Sequence, residues 1–125
     1  MPALNREFFE NYYRCYNSED PAALARFYAD DLVLVSAQGE QQGIAAMIET
    51  YRYMIDTFED RMTPDNILID GNAAAVEITN VFTARKDVAD FMGHTLQQGE
   101  TLTLKLCAVY RVDGSKISHA CIYAR

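Results

Sequence analysis

Glu77 is the side chain in this sequence best suited to acid–base chemistry. It lies among small and apolar residues over 73–82, a composition that predicts a strand at the centre of a sheet. A carboxylate that faces an apolar interior loses its hydration, so its pKa rises and it can hold or accept a proton near neutral pH. Two alternatives stay open: Glu77 lies on the other face of the strand, or it is a structural partner of a tyrosine or an arginine.

His94 is a second candidate, because imidazole exchanges protons near neutral pH. It lies in a segment of about fifteen residues, 86–100, which is long for a connection between strands. Phe91 and Met92, next to Gly93, could close the mouth of a cavity and bring His94 near a ligand. The alternative is an exposed loop that these two apolar residues anchor.

The cysteines and histidines do not form a metal-binding or disulfide pattern. Cys15, Cys107 and Cys121 are an odd number without a C-x-x-C pair, and neither histidine stands four residues from a glutamate. We therefore expect the cysteines to be small apolar core residues. We also expect no metal ion and no cofactor.

The composition predicts a single domain over residues 1–125. Half of the 125 residues are hydrophobic and 23% are charged, so the chain can bury a core. The net charge of −7 disfavours binding to nucleic acid or to anionic membrane surfaces. No apolar run approaches the roughly 20 residues of a membrane-spanning helix, and the first residues do not resemble a secretory signal. We expect a cytoplasmic protein.

Hydrophobic spacing predicts three helices before residue 60. Over 4–17, apolar residues recur every three or four positions, which places Tyr12 and Tyr16 on one face. Asp20 and Pro21 supply an N-cap and a first-turn proline for a short second helix. The third helix has the longest apolar face, formed by Ile44, Met47, Ile48, Tyr51, Ile55 and Phe58.

The remaining elements are predicted to be strands. A β-rich run covers 32–35, and after Pro64 the strands 67–69, 73–83, 101–112 and 116–123 are separated by tight-turn signals at 70–72 and 113–115. This order predicts an α+β fold in which a curved antiparallel sheet forms a cone and the three helices pack on its concave face. A cone that side chains do not fill contains a pocket.

The two faces of the strand 101–112 have different compositions. Leu104, Leu106, Ala108 and Tyr110 share the face expected to line the cone, whereas Lys105 and Arg111 lie on the outer face. The outer face also carries apolar residues such as Val109, so it requires a second cover. We therefore expect a homodimer that packs through the outer face of the sheet.

Five segments resemble the nuclear transport factor 2-like superfamily, and within it the bacterial SnoaL-like proteins related to polyketide cyclases and ketosteroid isomerases. These segments are 8–13, 17–20, 27–31, 43–47 and 110–117, so the resemblance covers nearly the whole chain. It implies a cystatin-like cone and a homodimer. It does not imply one activity, because the superfamily includes isomerases, cyclases, epoxide hydrolases, dehydratases and non-catalytic binders.

The resemblance also implies roles for individual residues. Tyr12 matches the isomerase tyrosine that donates a hydrogen bond to a developing enolate, and the match places Glu77 and Thr79 on the inner face. Ser36 and Ala108 stand where the isomerases carry their general base and a second, protonated acid. Because both acids are missing, we do not expect ketosteroid isomerisation by that mechanism.

Two functions follow as hypotheses. The first is a cofactor-independent acid–base enzyme, of isomerase, cyclase or hydrolase type, that acts through Glu77 and Tyr12 on a small apolar organic molecule. The side chains expected to contact this ligand are Tyr16, Phe27, Ser36, Tyr51, Ile55, Thr79, His94, Ala108 and Tyr110. The second is a non-catalytic homodimer that binds a ligand or another protein.

Overall fold

The computed structural model describes residues 4–124. Residues 1–3 and 125, which the predicted domain of residues 1–125 includes, lie outside the described residues. Within residues 4–124, three helices and eight strands follow one another in the order α1 (Arg6–Tyr16), α2 (Pro21–Ala25), β1 (Tyr28–Ser36), β2 (Gly39–Gln42), α3 (Ile44–Thr57), β3 (Phe58–Asp70), β4 (Ala73–Ala84), β5 (Val88–Phe91), β6 (His94–Leu96), β7 (Thr101–Asp113) and β8 (Lys116–Ala124). None of the helices within 4–124 has the length and apolar character needed to cross a membrane.

The predicted α+β fold is confirmed, with a sheet that is mixed rather than wholly antiparallel. Six strands are ordered β2-β1-β8-β7-β4-β3. Val33 of β1 pairs with His119 of β8 in parallel, whereas the other neighbouring strands are antiparallel. The parallel pair joins elements from opposite ends of the chain, a long-range contact that local sequence patterns do not encode.

Side chains cap the N-termini of α1 and α2, and the cap at Asp20 was predicted from the sequence. The Asn5 side chain accepts a hydrogen bond from the backbone N–H of Phe8 at 3.0 Å, and Asp20 accepts one from Ala23 at 3.2 Å.

Helix α3 passes directly into β3 at Phe58, six residues before Pro64, where the strands were predicted to begin. Pro64 is tolerated because β3 is an edge strand and its register shifts beside the proline.

Strand β4 buries the face opposite to the one predicted. Its buried side chains are Ala74, Val76, Ile78, Asn80, Phe82 and Ala84. The prediction that Glu77 and Thr79 face inward is therefore wrong, because side chains alternate along a strand and the larger apolar residues occupy the even positions. Glu77 is exposed on the outer face and accepts a hydrogen bond from Asn66 at 3.1 Å.

Within the segment 86–100, residues 88–96 form a β-hairpin rather than a loop. Strands β5 and β6 pair across a turn in which Met92 and Gly93 both have positive φ, at 52° and 84°. Phe91 is buried in a small cluster with Phe58 and Phe82, whereas the His94 side chain is exposed. This cluster fastens the hairpin to the end of the sheet.

Candidate functional site

A cavity of about 190 Å³ lies between the concave face of the sheet and helices α1 and α3. Its wall is mainly apolar, and the side chains that contribute to this character are Leu34, Met47, Met54, Met62, Ile78, Phe82, Phe91, Leu104, Leu106 and Ile122. The exposed residues of the lining mark its opening, between the β1–β2 turn at Gln38 and Gly39 and the β5–β6 turn at Met92.

Asp60 is the buried acid of this cavity. Its side chain lies on the cavity wall although the residue is only 1% exposed. The Tyr16 hydroxyl donates to Oδ2 at 2.8 Å, and the Asn80 amide donates to Oδ1 at 2.7 Å. Burial raises the pKa of Asp60, and the two hydrogen bonds and the Arg61 charge offset this rise only in part.

Long-range contacts hold Tyr16 and Asp60 together. The Asn17 side chain donates to the Met62 carbonyl at 2.9 Å and accepts from the Met62 N–H at 2.8 Å, which fastens the end of α1 to β3. The Tyr51 hydroxyl donates to the backbone carbonyl of Tyr16 at 2.5 Å. Both the backbone and the ring of Tyr16 are thus fixed opposite the carboxylate.

Four tyrosine hydroxyls form two pairs at the cavity, where Tyr12, Tyr28 and Tyr110 belong to the lining and Tyr13 does not. Tyr12 and Tyr28 are 2.5 Å apart at their oxygens, and Tyr13 and Tyr110 are 2.6 Å apart. Burial raises the pKa of Tyr12 to about 12 and raises the pKa of the other three, so all four stay protonated at neutral pH. Only one proton lies between the oxygens of each pair, so each pair keeps a second O–H that can donate to another acceptor.

The structure brings five of the predicted site residues to the cavity wall. These are Tyr12, Tyr16, Ser36, Tyr51 and Tyr110. Whether they contact a ligand stays a prediction.

Six predicted residues are not on this wall, and each for a structural reason. Phe27, Ile55 and Ala108 pack in the surrounding core. Glu77 and Thr79 lie on the outer face of β4, where Thr79 donates to Asp65 at 2.5 Å. His94 is exposed on β6, so the prediction that the hairpin brings it to the cavity is wrong, although Phe91 and Met92 do reach the lining.

Asp60 and Asn80, the polar pair of this site, are not among the residues predicted from the sequence. Asp60 lies outside the predicted strands, because the strand that contains it, β3, was predicted to begin after Pro64. The strand begins at Phe58, and the alternation of side chains along it places Phe58, Asp60 and Met62 on the inner face. Register then brings Asn80 next to Asp60, since Asp60 pairs with Phe82 and Met62 pairs with Asn80.

Comparisons with known proteins agree with this fold. A SnoaL-like polyketide cyclase from Agrobacterium tumefaciens superposes with a TM-score of 0.83 at 16% identity, covering 100% of this chain and 93% of that one. A candidate polyketide cyclase from Pseudomonas putida is 25% identical with a TM-score of 0.76, covering 94% and 88%. An epoxide hydrolase from Mycobacterium tuberculosis is 18% identical with a TM-score of 0.76, covering 95% and 80%.

A search of curated protein sequences finds no significant match. The sequence profile of the SnoaL-like domain, in contrast, matches residues 9–120, which is most of the chain. The structural neighbours share the cone-shaped fold of the nuclear transport factor 2-like superfamily. The chain therefore belongs to the SnoaL-like domain family of that superfamily.

Proposed function

We propose that this chain binds a small, mainly apolar organic molecule in its cavity and acts on it as a cofactor-independent acid–base enzyme. The observation that carries the proposal is Asp60, a buried carboxyl group on an apolar cavity wall, held by Tyr16 and Asn80. Asp60 takes the role that the sequence assigned to Glu77. Buried carboxyl groups with raised pKa values are suited to proton transfer near neutral pH.

Two groups of the cavity wall take different roles in this proposal, Asp60 as the base and the Tyr12–Tyr28 pair as the hydrogen-bond donor. The ionised Asp60 accepts a proton from a C–H bond next to a carbonyl group of the ligand. The electron pair of that bond moves onto the carbonyl oxygen, which the free O–H of the Tyr12–Tyr28 pair stabilises by a hydrogen bond. Return of the proton from Asp60 to another atom of the same molecule completes an isomerisation or a ring closure.

Proton exchange tests this proposal without knowledge of the natural substrate. Two six-membered ring ketones, cyclohexanone and 1-methyl-4-piperidone, are incubated with the protein in D₂O, and loss of the protons next to the carbonyl is followed by NMR. We expect the wild-type chain to accelerate exchange for at least one ketone. We expect Asp60→Asn to lose about 10²-fold or more of that acceleration.

The matched control is Glu77→Gln, which removes the same charge from the outer face and should keep the wild-type rate. Exchange that is not accelerated for either ketone, or that survives in Asp60→Asn, contradicts the proposal. Thermal unfolding of both variants shows that a loss of exchange does not come from a loss of structure.

We also propose that two copies of the chain pack through the outer face of the sheet. Register aligns five small or apolar side chains across β3, β4, β7, β8 and β1 in a row that consists of Leu68, Ala75, Val109, Cys121 and Val35. Leu68 is 59% exposed and Val109 is 43% exposed. A second copy of the chain would cover this row. In a dimer with two-fold symmetry, the row of one copy packs against the same row of the other.

A further inference from the structure

Apart from the tyrosine hydroxyls, Asp60 is the one group of the described cavity wall that can carry a charge. Among its lining residues within 4–124 there are no lysines, arginines or histidines, and Asp60 is the one carboxylic acid. The tyrosines of the wall are neutral, as their buried hydroxyls stay protonated. A ligand that enters this cavity therefore meets a single negative group.

Asp60 forms no ion pair with a basic side chain in the part of the chain that the structure describes. Arg61, the next residue, forms its ion pairs with Glu59 at 3.4 Å and Glu19 at 3.9 Å. Asp60 accepts hydrogen bonds from two neutral donors, and the nearby Arg61 charge acts on it without an ion pair between the two side chains.

The other wall groups favour a cation over an anion. Aromatic rings and methionine thioethers contribute much of the surface, namely Tyr12, Tyr16, Tyr28, Tyr51, Phe82, Phe91, Met47, Met54, Met62 and Met92. The faces of aromatic rings attract cations, and sulfur is polarisable. The net charge of −7 on the whole chain acts in the same direction.

The volume limits the size of the occupant. A cavity of about 150 Å³ is enough for benzene, and the present cavity measures about 190 Å³. Its occupant is thus close to one six-membered ring with a short substituent.

We propose that the natural ligand of this cavity is a small organic cation, a protonated amine or imine on an apolar body of about one ring, with its N–H bound by Asp60. This inference rests on the proposed function, because it uses the same cavity and the same carboxylate. It specifies the charge of the substrate. It also gives a reason for a carboxyl group that lies in an apolar site without an ion pair to a basic side chain.

A cationic substrate also suits proton transfer in an apolar site. When Asp60 takes a proton from a protonated imine, the broken bond returns its electron pair to the substrate, and the products are a neutral carboxylic acid and a neutral enamine or imine. Two buried charges are removed in that step. A neutral substrate would instead take over the negative charge of Asp60, and the side chains of the cavity wall offer only neutral hydroxyl and amide donors to stabilise it.

Three probes of nearly equal size and different charge test the inference on the wild-type chain. Benzylamine is a cation near pH 7, benzyl alcohol is neutral and benzoate is an anion. Binding is measured by isothermal titration calorimetry, with NMR shifts of cavity residues as the site readout. We expect benzylamine to bind about tenfold or more tightly than benzyl alcohol, and benzoate not to bind, since hydrogen bonds between charged groups are the stronger ones.

Variants locate the source of the preference. Asp60→Asn should lose about tenfold or more in benzylamine affinity while benzyl alcohol affinity changes little. The control Glu77→Gln should keep the full preference, although it changes the net charge by the same amount. The comparison of the three probes needs only the wild-type chain, so the inference is tested even if Asp60→Asn does not fold.

Three outcomes overturn the inference, and they are distinguishable. If benzyl alcohol binds as tightly as benzylamine, or if Asp60→Asn keeps the preference for benzylamine, the cavity does not select a cation, while the exchange assay still decides the proposed function. If none of the three probes binds to the wild-type chain, the proposed ligand-binding function fails as well.

Discussion

Replacement of Tyr16 by phenylalanine tests the link between the buried carboxylate and its hydrogen bonds. The variant Tyr16→Phe removes the hydroxyl that donates to Asp60 at 2.8 Å and keeps the ring, which packs edge-on against Tyr51 at 5.0 Å. The backbone carbonyl of residue 16 still accepts from the Tyr51 hydroxyl. The change is therefore close to the deletion of one hydrogen bond.

The size of the effect depends on the charge of Asp60. A hydrogen bond to a charged group contributes about 1.5–3 kcal/mol, and one between neutral groups about 0.5–1.5 kcal/mol. Burial raises the pKa of Asp60, so in acid a larger fraction of the folded chains carries the protonated carboxyl group than an ordinary aspartate would give. We expect Tyr16→Phe to lower the free energy of unfolding by about 1.5–3 kcal/mol at about pH 8, and by less at about pH 4.

The sign of the pH dependence follows from linkage. Because the folded-state pKa of Asp60 is raised, the folded chain keeps this proton while the unfolded chain loses it, so this group makes stability fall as pH rises between the two pKa values. The Tyr16 hydroxyl stabilises the ionised form and limits that loss. Without it the pKa of Asp60 rises further, and the loss becomes larger.

Urea unfolding at the two pH values measures these quantities, with wild type and variant compared under identical conditions. Tyr51→Phe is the matched control, because it deletes a bond between a phenol and a backbone carbonyl and should lower stability by about 0.5–1.5 kcal/mol at both pH values. Equal losses at both pH values for Tyr16→Phe would refute the link between Tyr16 and an ionisable Asp60.

Three further predictions follow from other parts of the structure. Glu77→Gln should change stability by less than about 0.5 kcal/mol in urea unfolding, because Glu77 is exposed and its partner Asn66 is also exposed. Val109→Lys should reduce the particle mass in analytical ultracentrifugation from twice the chain mass to 14.1 kDa, and a wild-type chain that already sediments at 14.1 kDa contradicts the dimer. Phe91→Ala should lower the free energy of unfolding by about 3–5 kcal/mol, since its ring packs against Phe58 at 4.7 Å and Phe82 at 5.0 Å, and a loss well below this range would show that the hairpin is not fastened by this cluster.

The sequence predicts elements well where the evidence for them is local. The three- and four-residue spacing of α1 placed Tyr12 and Tyr16 on the buried face, and the Asp20-Pro21 pair placed the start of α2. The turn at 113–115 likewise separates β7 from β8 as predicted. In each case the residues that determine the structure lie within a few positions of one another.

The site depends on contacts that local patterns do not contain. Tyr16 and Asp60 are 44 residues apart, and Asp60 and Asn80 are 20 residues apart. The face of β4 was assigned from a resemblance rather than from side-chain size, and Val76, Ile78 and Phe82 would have given the correct face. Asp60 lies just after helix α3 passes into β3 without a loop. Its burial on the inner face cannot be predicted until the start of the strand is known.

The central claim is that Asp60 is the ionisable group of the cavity, and titration of its carboxyl carbon by NMR tests it most directly. The signal is assigned by its absence in Asp60→Asn, and it is followed with pH in the free chain and after addition of benzylamine. We expect Asp60 to titrate above the ordinary range of aspartate and its signal to shift when benzylamine enters the cavity. An Asp60 that titrates near 3.8 and does not respond to benzylamine would contradict the account.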